Sequence, residues 1–261
     1  MIALVMVTSL LVMLLAPAAP ELPELSARGT LRALVSADEN PSLFNFTQTG
    51  EPGFERELLS SFARLHKLQL EPVKVETFAD MIPELQRGTG DLIAGIVDTA
   101  ERRTSVDFTV AVLPSRQLVV TRKPTPAVAN VAQLLEQRVG TIRGTTWWSA
   151  AVAAGYPAAK LLAFPREDVL FEALRTGKVS AIVTSVTDLT LALRADRDLR
   201  PGVMLGEPQS AAWAVRKDDS KLRQALDEYL ANVRRTATWS RLVVKYFGED
   251  ALAVLGKASM R

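Results

Sequence analysis

Two groups in the sequence have the chemistry to hold a small anion. Arg102 follows an apolar run and a turn, and its guanidinium offers a planar fork of donors that meets a carboxylate through two parallel hydrogen bonds. Glu101 and Arg103 flank it, so a solvated surface pair is the plainer reading of the same three residues. Gly144, Thr145 and Thr146 stand where a strand pattern gives way to a helix pattern. Backbone N–H groups without helical partners, together with a hydroxyl, would face an incoming anion there. An ordinary helix cap uses the same residues, because threonine caps well. Set on opposite sides of a cleft, the guanidinium and the turn would form a two-sided clamp.

Residue types exclude much else. The chain has no cysteine and a single histidine, His66, which removes most zinc sites and every Ser–His or Cys–His pair not built on that residue. His66 sits beside the apolar stripe Leu58, Leu59, Phe62 and Leu65 of a helical pattern over 57–67, where it is expected to be solvated. No metal and no cofactor is expected. Thirty-one basic residues against 29 acidic ones give a formal charge of +2, with the two signs interspersed, so nucleic acid is not an expected partner.

The elements that must position these groups alternate. A strand is predicted over 31–36, a loop over 37–53, the His66 helix, a strand over 70–75, a helix over 78–87 stopped by Gly88 and Gly90, and a buried strand over 92–97. A second cycle runs through strands at 117–121, 139–142 and 179–184, with helices around 132–136, opening at 144–146, and over 169–175. A strand over 212–216 and helices over 220–235 and 239–247 finish the chain. This pattern predicts an α/β fold with mostly parallel sheets flanked by helices. A length of 261 residues permits two modest lobes. No Gly/Ser-rich linker separates them, so two ordered crossings near 111–115 and 210–213 are expected. The first lobe would then comprise 26–112 and 213–261, and the second 113–212.

Residues 2–15 are almost wholly apolar and small residues follow at Ala16, Ala18 and Ala19, which predicts a signal peptide over 1–18 cut after Ala18. No Lys or Arg precedes the run, a departure from the usual pattern, and the run is shorter than the ~20 residues that cross a bilayer. Without cysteine, neither a disulfide nor a lipid anchor can form, so a freely soluble, monomeric periplasmic protein is expected.

The order of several short motifs resembles bacterial extracellular solute-binding proteins of family 3. They are Gly53-Phe54-Glu55-Arg56-Glu57-Leu58, Met81-Ile82-Pro83-Glu84-Leu85, Gly90-Asp91-Leu92-Ile93-Ala94-Gly95, Thr99-Ala100-Glu101-Arg102 and Val106-Asp107-Phe108. Val139-Gly140 with Gly144-Thr145-Thr146, Gly177-Lys178-Val179, Val215-Arg216-Lys217 and Lys245-Tyr246-Phe247-Gly248 continue the series. The resemblance implies a two-lobed periplasmic-binding fold whose lobes are joined by two crossing strands.

It also implies a set of ligand contacts. Arg102 takes the position of the ligand-carboxylate anchor, Phe78 that of the ring-stacking aromatic, with Phe44 assisting and Asp38 available to a cationic group. Gly95, Val97, Thr145, Thr146 and Ser185 complete the set. Trp147 and Trp148 line the cleft or anchor the second lobe's core. Two positions depart from the amino-acid binders. Ser185 stands where a carboxylate usually holds the α-ammonium, with Asp188 as a substitute three residues on, and Val97 and Asp98 stand where a hydroxyl residue often contributes.

The function implied is capture of a small polar, carboxylate-bearing ligand by lobe closure and delivery to an ABC importer. The alternative is a sensory or regulatory module, because the stretch 212–247 also resembles the non-catalytic lobes of membrane-bound lytic transglycosylases, which bind cell-wall peptides; the end at Arg261 would make this a free-standing binder. Cyclohexadienyl dehydratases share the fold, but such work needs a poised acid or base over the substrate. The sequence offers no convincing constellation of that kind, so no enzymatic activity is expected.

Overall fold

The computed structural model describes residues 21–37, 39–47, 49–249, 251 and 255. The expected signal peptide over 1–18 and Asp38 lie outside the described residues. Among the described residues no helix is long and apolar enough to cross a membrane.

The first lobe begins with a short helix, α1 (Pro23–Arg28), and a strand, β1 (Thr30–Ser36), which pairs in parallel with β2 (Gln69–Val75) and β3 (Leu92–Val97). Alternation along β1 decides which helix covers which face, since successive side chains point to opposite sides of a sheet. Ala33 and Val35 pack with Phe54, Leu58 and Phe62 of α2 (Phe54–Leu65), whereas Leu34 joins Met81 and Leu85 of α3 (Met81–Gln86).

The chain then adds a two-residue strand, β4 (Asp107–Phe108), and enters β5 (Leu113–Arg122). The second lobe follows with α4 (Val131–Leu135), β6 (Val139–Ile142), α5 (Thr146–Ala153), β7 (Leu162–Phe164), α6 (Glu167–Arg175), β8 (Ala181–Ser185) and α7 (Val186–Ala192). Strand β9 (Leu199–Val215) returns to the first lobe, where α8 (Ser220–Arg234) and α9 (Ala237–Phe247) pack.

All nine strands form one sheet, in the order β2-β1-β3-β9-β5-β8-β6-β7 with β4 beside β9. Two parallel trios, β2-β1-β3 and β8-β6-β7, are thus joined by the antiparallel strands β5 and β9. Ala211 of β9 pairs with both Leu113 of β5 and Val97 of β3. We propose the lobe boundary at this crossing, with 26–112 and 213–261 on one side and 113–212 on the other.

The strand predicted over 212–216 is the end of a much longer one. Pro201, Gly202, Gly206 and Pro208 hide its first part, because proline and glycine depress strand propensity. Helix α7 also escaped prediction; the Ser185 hydroxyl that accepts from the Asp188 N–H starts it directly after β8.

Trp213 sits at the return crossing with no exposed surface, and its Nε1–H donates to Glu55 Oε2 at 3.0 Å. Truncating it would open a cavity and strand a buried carboxyl. Trp213→Ala is therefore expected to lower the unfolding free energy by about 3–5 kcal/mol in a denaturant titration.

Candidate ligand-binding site

A cavity of about 960 Å³ lies between the lobes. From the first lobe it is bordered by Glu39, Glu55, Phe78, Gly95, Val97 and Arg102, and from the second by Gly144, Thr145, Thr146, Glu167, Ser185 and Asp188.

Arg102 is set by the end of β3. Its Nη1 donates to the Val97 carbonyl at 2.7 Å, its backbone N–H to Thr99 Oγ1 at 3.2 Å, and its guanidinium carbon lies 5.2 Å from the centre of the Phe78 ring. Phe78 is 47% exposed, so one aromatic face is open for stacking beside the cation. Burial pulls the Arg102 pKa below its ordinary value, but a guanidinium stays charged at any physiological pH. Asp98 turns aside to a bidentate pair with Arg103, Nε to Oδ1 at 2.6 Å, and does not border the cavity. Among the described residues no carboxylate is bonded to Arg102, which is left with donors for a ligand.

Across the cavity, Gly144 takes a φ of +81°, a left-handed conformation that turns the chain from β6 into α5. Thr145 is the cap of that helix: its Oγ1 donates to the Ile142 carbonyl at 2.7 Å and accepts from the Trp148 N–H at 3.4 Å. The hydroxyl is thereby committed to the turn. Thr146 Oγ1 accepts from buried Gln117 at 3.1 Å. What this turn offers an anion is its backbone N–H groups at a helix start. Trp147 both borders the cavity and packs on the cores, while Trp148 lies under Arg143, whose guanidinium carbon is 4.4 Å from the ring centre.

The remaining walls are acidic. Glu55 is 3% exposed and is held by Trp213 Nε1 and the Gly95 N–H; burial raises its pKa to about 7. Among the described residues the Glu39 carboxyl accepts one hydrogen bond, from the Asn40 N–H at 3.1 Å, and burial, then the neighbouring Glu55, then Asp188 across the cavity raise its pKa to about 8. Glu167, the first residue of α6, is pushed up by burial and by Asp188 and Glu39, and burial raises Asp188 as well, although Ser185 donates a short hydrogen bond to its carboxylate. Among the described residues no lysine or arginine pairs with any of these four carboxyls, although Arg143 and Arg166 border the same cavity.

Gly95 explains how two of them come so close. At φ +66° it sits in the β3 bulge, and a Cβ there would lie 3.3 Å from Glu39 Oε2 and 3.4 Å from Glu55 Oε1.

Of the residues singled out in the sequence, Phe78, Gly95, Val97, Arg102, Thr145, Thr146 and Ser185 border one cavity. Phe44 does not, and is withdrawn from the contact set: it is 1% exposed, packed in the first lobe's core 5.5 Å from Phe46. Its backbone N–H and that of Leu43 both bond the Asn40 carbonyl, a turn that gives the cavity Leu43 instead. His66 lies partly buried against Phe62, 4.5 Å between ring centres, and burial lowers its pKa.

Glu39, Glu55 and Glu167 were missed. Glu55 lies inside the Gly53-Phe54-Glu55-Arg56 motif and reads as a helix-start acid, while Glu39 and Glu167 follow loops whose direction no periodicity reveals. Among the described residues no acidic group is arranged to hold a metal ion.

A sheet whose two parallel trios are joined by antiparallel crossings, with a polar cavity between lobes, defines a type II periplasmic binding fold, the class of two-lobed solute-binding proteins. The chain belongs to the bacterial extracellular solute-binding proteins, family 3, whose sequence profile matches residues 31–249.

Among solved structures it is similar to an ancestral cationic amino acid solute-binding protein, at 25% identity and a TM-score of 0.76 over 86% of this chain and 98% of that one. It is also similar to the arginine-binding protein ArgBP of T. maritima in its holo form, at 25% identity and a TM-score of 0.66 over 87% and 100%. Among curated relatives, membrane-bound lytic murein transglycosylase F of Stutzerimonas stutzeri (strain A1501) is 25% identical over 90% of this chain and 50% of its own length. The enzyme of the same name from Desulfosudis oleivorans is 27% identical over 83% and 48%. The chain spans about half the length of these relatives.

Raised carboxyl pKa values set a pH dependence. In the unfolded chain Glu39 loses its proton near its ordinary value of 4.5, whereas in the folded protein it keeps it to about 8. Between those values the unfolded state binds fewer protons, so stability falls as pH rises. Without ligand, thermal unfolding of Glu39→Gln is expected to show a Tm advantage over the unsubstituted protein that grows from pH 5.5 to pH 8.

Proposed function

We propose that this is a periplasmic solute-binding protein, exported by an N-terminal signal peptide, that captures a carboxylate-bearing amino compound by lobe closure and delivers it to an ABC importer. The observation that carries the reading is that Arg102 of one lobe and residues 144–146, at a helix start of the other, border one cavity. An anion held by both is contacted fully only when the lobes meet, so binding energy is converted into a bias toward the closed form. Phe78 supplies the apolar wall that desolvates the ligand. Family membership and the amino-acid-binding neighbours support the same reading, and the arginine-binding neighbours make arginine the first ligand to try.

We propose further that the ligand leaves chemically unchanged. The raised carboxyls bear on this point, since an acid poised near neutral pH is also what acid–base catalysis needs. Recovery of the added ligand intact after prolonged incubation with purified protein supports binding alone; conversion to a product assigns an enzyme.

A second reading follows from the relatives named lytic murein transglycosylase F, half of whose length this chain matches. In it the protein is a sensory module and its ligand a cell-wall peptide, for which a cavity of about 960 Å³ has room. Murein peptides binding more tightly than free amino acids would favour it.

Removing the guanidinium should leave a bound carboxylate without its charged partner. Arg102→Ala is expected to weaken ligand binding by about 2–5 kcal/mol, roughly 30-fold or more in Kd, measured by isothermal titration calorimetry.

A further inference from the structure

We propose that the ligand is a basic amino acid, whose carboxylate meets Arg102 and whose two cationic groups are shared among Glu39, Glu167 and Asp188. The inference rests on the ligand-capture reading and deepens it by assigning the charge class of the solute.

The argument starts from which groups in the cavity already have partners. Glu55 is fully engaged by Trp213 and Gly95 and forms the back wall. Asp188 is bonded by Ser185, a neutral donor, and the Glu39 carboxyl by one amide of its own loop, while the Glu167 side chain has no hydrogen-bond partner among the described residues. The arginines at the rim are placed elsewhere: Arg143 lies over Trp148, Arg166 pairs with Asp168 at 2.7 Å, and Arg102 is held at Val97. Asp168 is exposed and spoken for by that pair. Glu39 comes from the first lobe and Glu167 and Asp188 from the second, and each side's charge bears on the other. Closing the lobes on an empty cavity therefore either keeps protons on these carboxyls or opposes like charges across the gap.

A solute that relieves this must carry positive charge to both sides. A neutral amino acid brings one ammonium, which can answer one carboxylate and leaves the others facing each other. An acidic one adds a further negative group. A second ammonium or a guanidinium on the side chain reaches the carboxylates of the opposite lobe and turns repulsion into attraction at closure. Ser185 fits the same account: the acid usual at its position is supplied by Asp188, one helical turn on and oriented by the serine hydroxyl.

The test is calorimetric titration of the full mature chain at pH 7.5 with L-arginine and L-lysine, their uncharged counterparts L-citrulline and L-norleucine, and L-glutamate. The basic amino acids are expected to bind at least about tenfold more tightly than their counterparts, a difference of ~1.4 kcal/mol. Glu167→Gln is expected to erase most of that preference, weakening arginine and lysine binding by a larger factor than citrulline binding. Glu39→Gln serves as the second variant, and unaltered circular dichroism shows that each is folded. Citrulline or norleucine binding as well as arginine or lysine overturns the charge assignment and leaves the capture reading standing. Absence of binding by every amino acid overturns both.

Discussion

Four carboxyls around one cavity, with no lysine or arginine paired to them among the described residues, set the terms for the rest of the structure. Burial disfavours their ionised forms, and for Glu39 and Glu167 the neighbouring carboxylates add to it, so the folded protein holds protons that water would have removed. Such a site stores a demand for positive charge. Arg102 provides the opposite sign at one end of the cavity, held away from the acids by Val97 and backed by Phe78. On the proposed reading, such a groove suits a solute that carries both a carboxylate and positive charge.

The scaffold earns its shape from this requirement. Parallel strands end at the cleft, and ligands of open α/β sheets collect outside the carboxyl ends of such strands. Arg102 follows β3, Glu39 follows β1, the 144–146 turn follows β6 and Ser185 closes β8. Each functional group is thus delivered by a strand end whose depth is fixed by the hydrophobic cores beneath it. The long β9, shared between β5 and β3, makes the lobes two parts of one sheet rather than two tethered globules. A bend in two strands is enough to change the distance between the walls.

Much of the scaffold was legible because its signals are local. Alternation in 31–36 and 92–97 and the apolar stripe of α2 follow from the two regular side-chain periods, and the observed elements lie within a few residues of those predicted. Arg102 was legible for a different reason, a motif that resembles a family. Phe44 shows the limit of that kind of inference: an aromatic in the right loop faces inward when its neighbour Leu43 takes the outward position. Glu39 and Glu167 show another. A single glutamate in a loop has no periodicity, and its importance arises only from what folding brings near it, here a carboxyl from the other lobe. Ser185 read as a missing charge with Asp188 as its substitute, and the start of α7 brings that carboxyl to the serine hydroxyl at the cavity.

The account's central claim is that a cationic ligand replaces protons on these carboxyls. Calorimetric titration of the protein with L-arginine at pH 7 in two buffers of different ionisation enthalpy measures that exchange directly. Release of protons on binding, on the order of one per ligand, is the predicted result. Binding with no proton exchange, or with uptake, would contradict it.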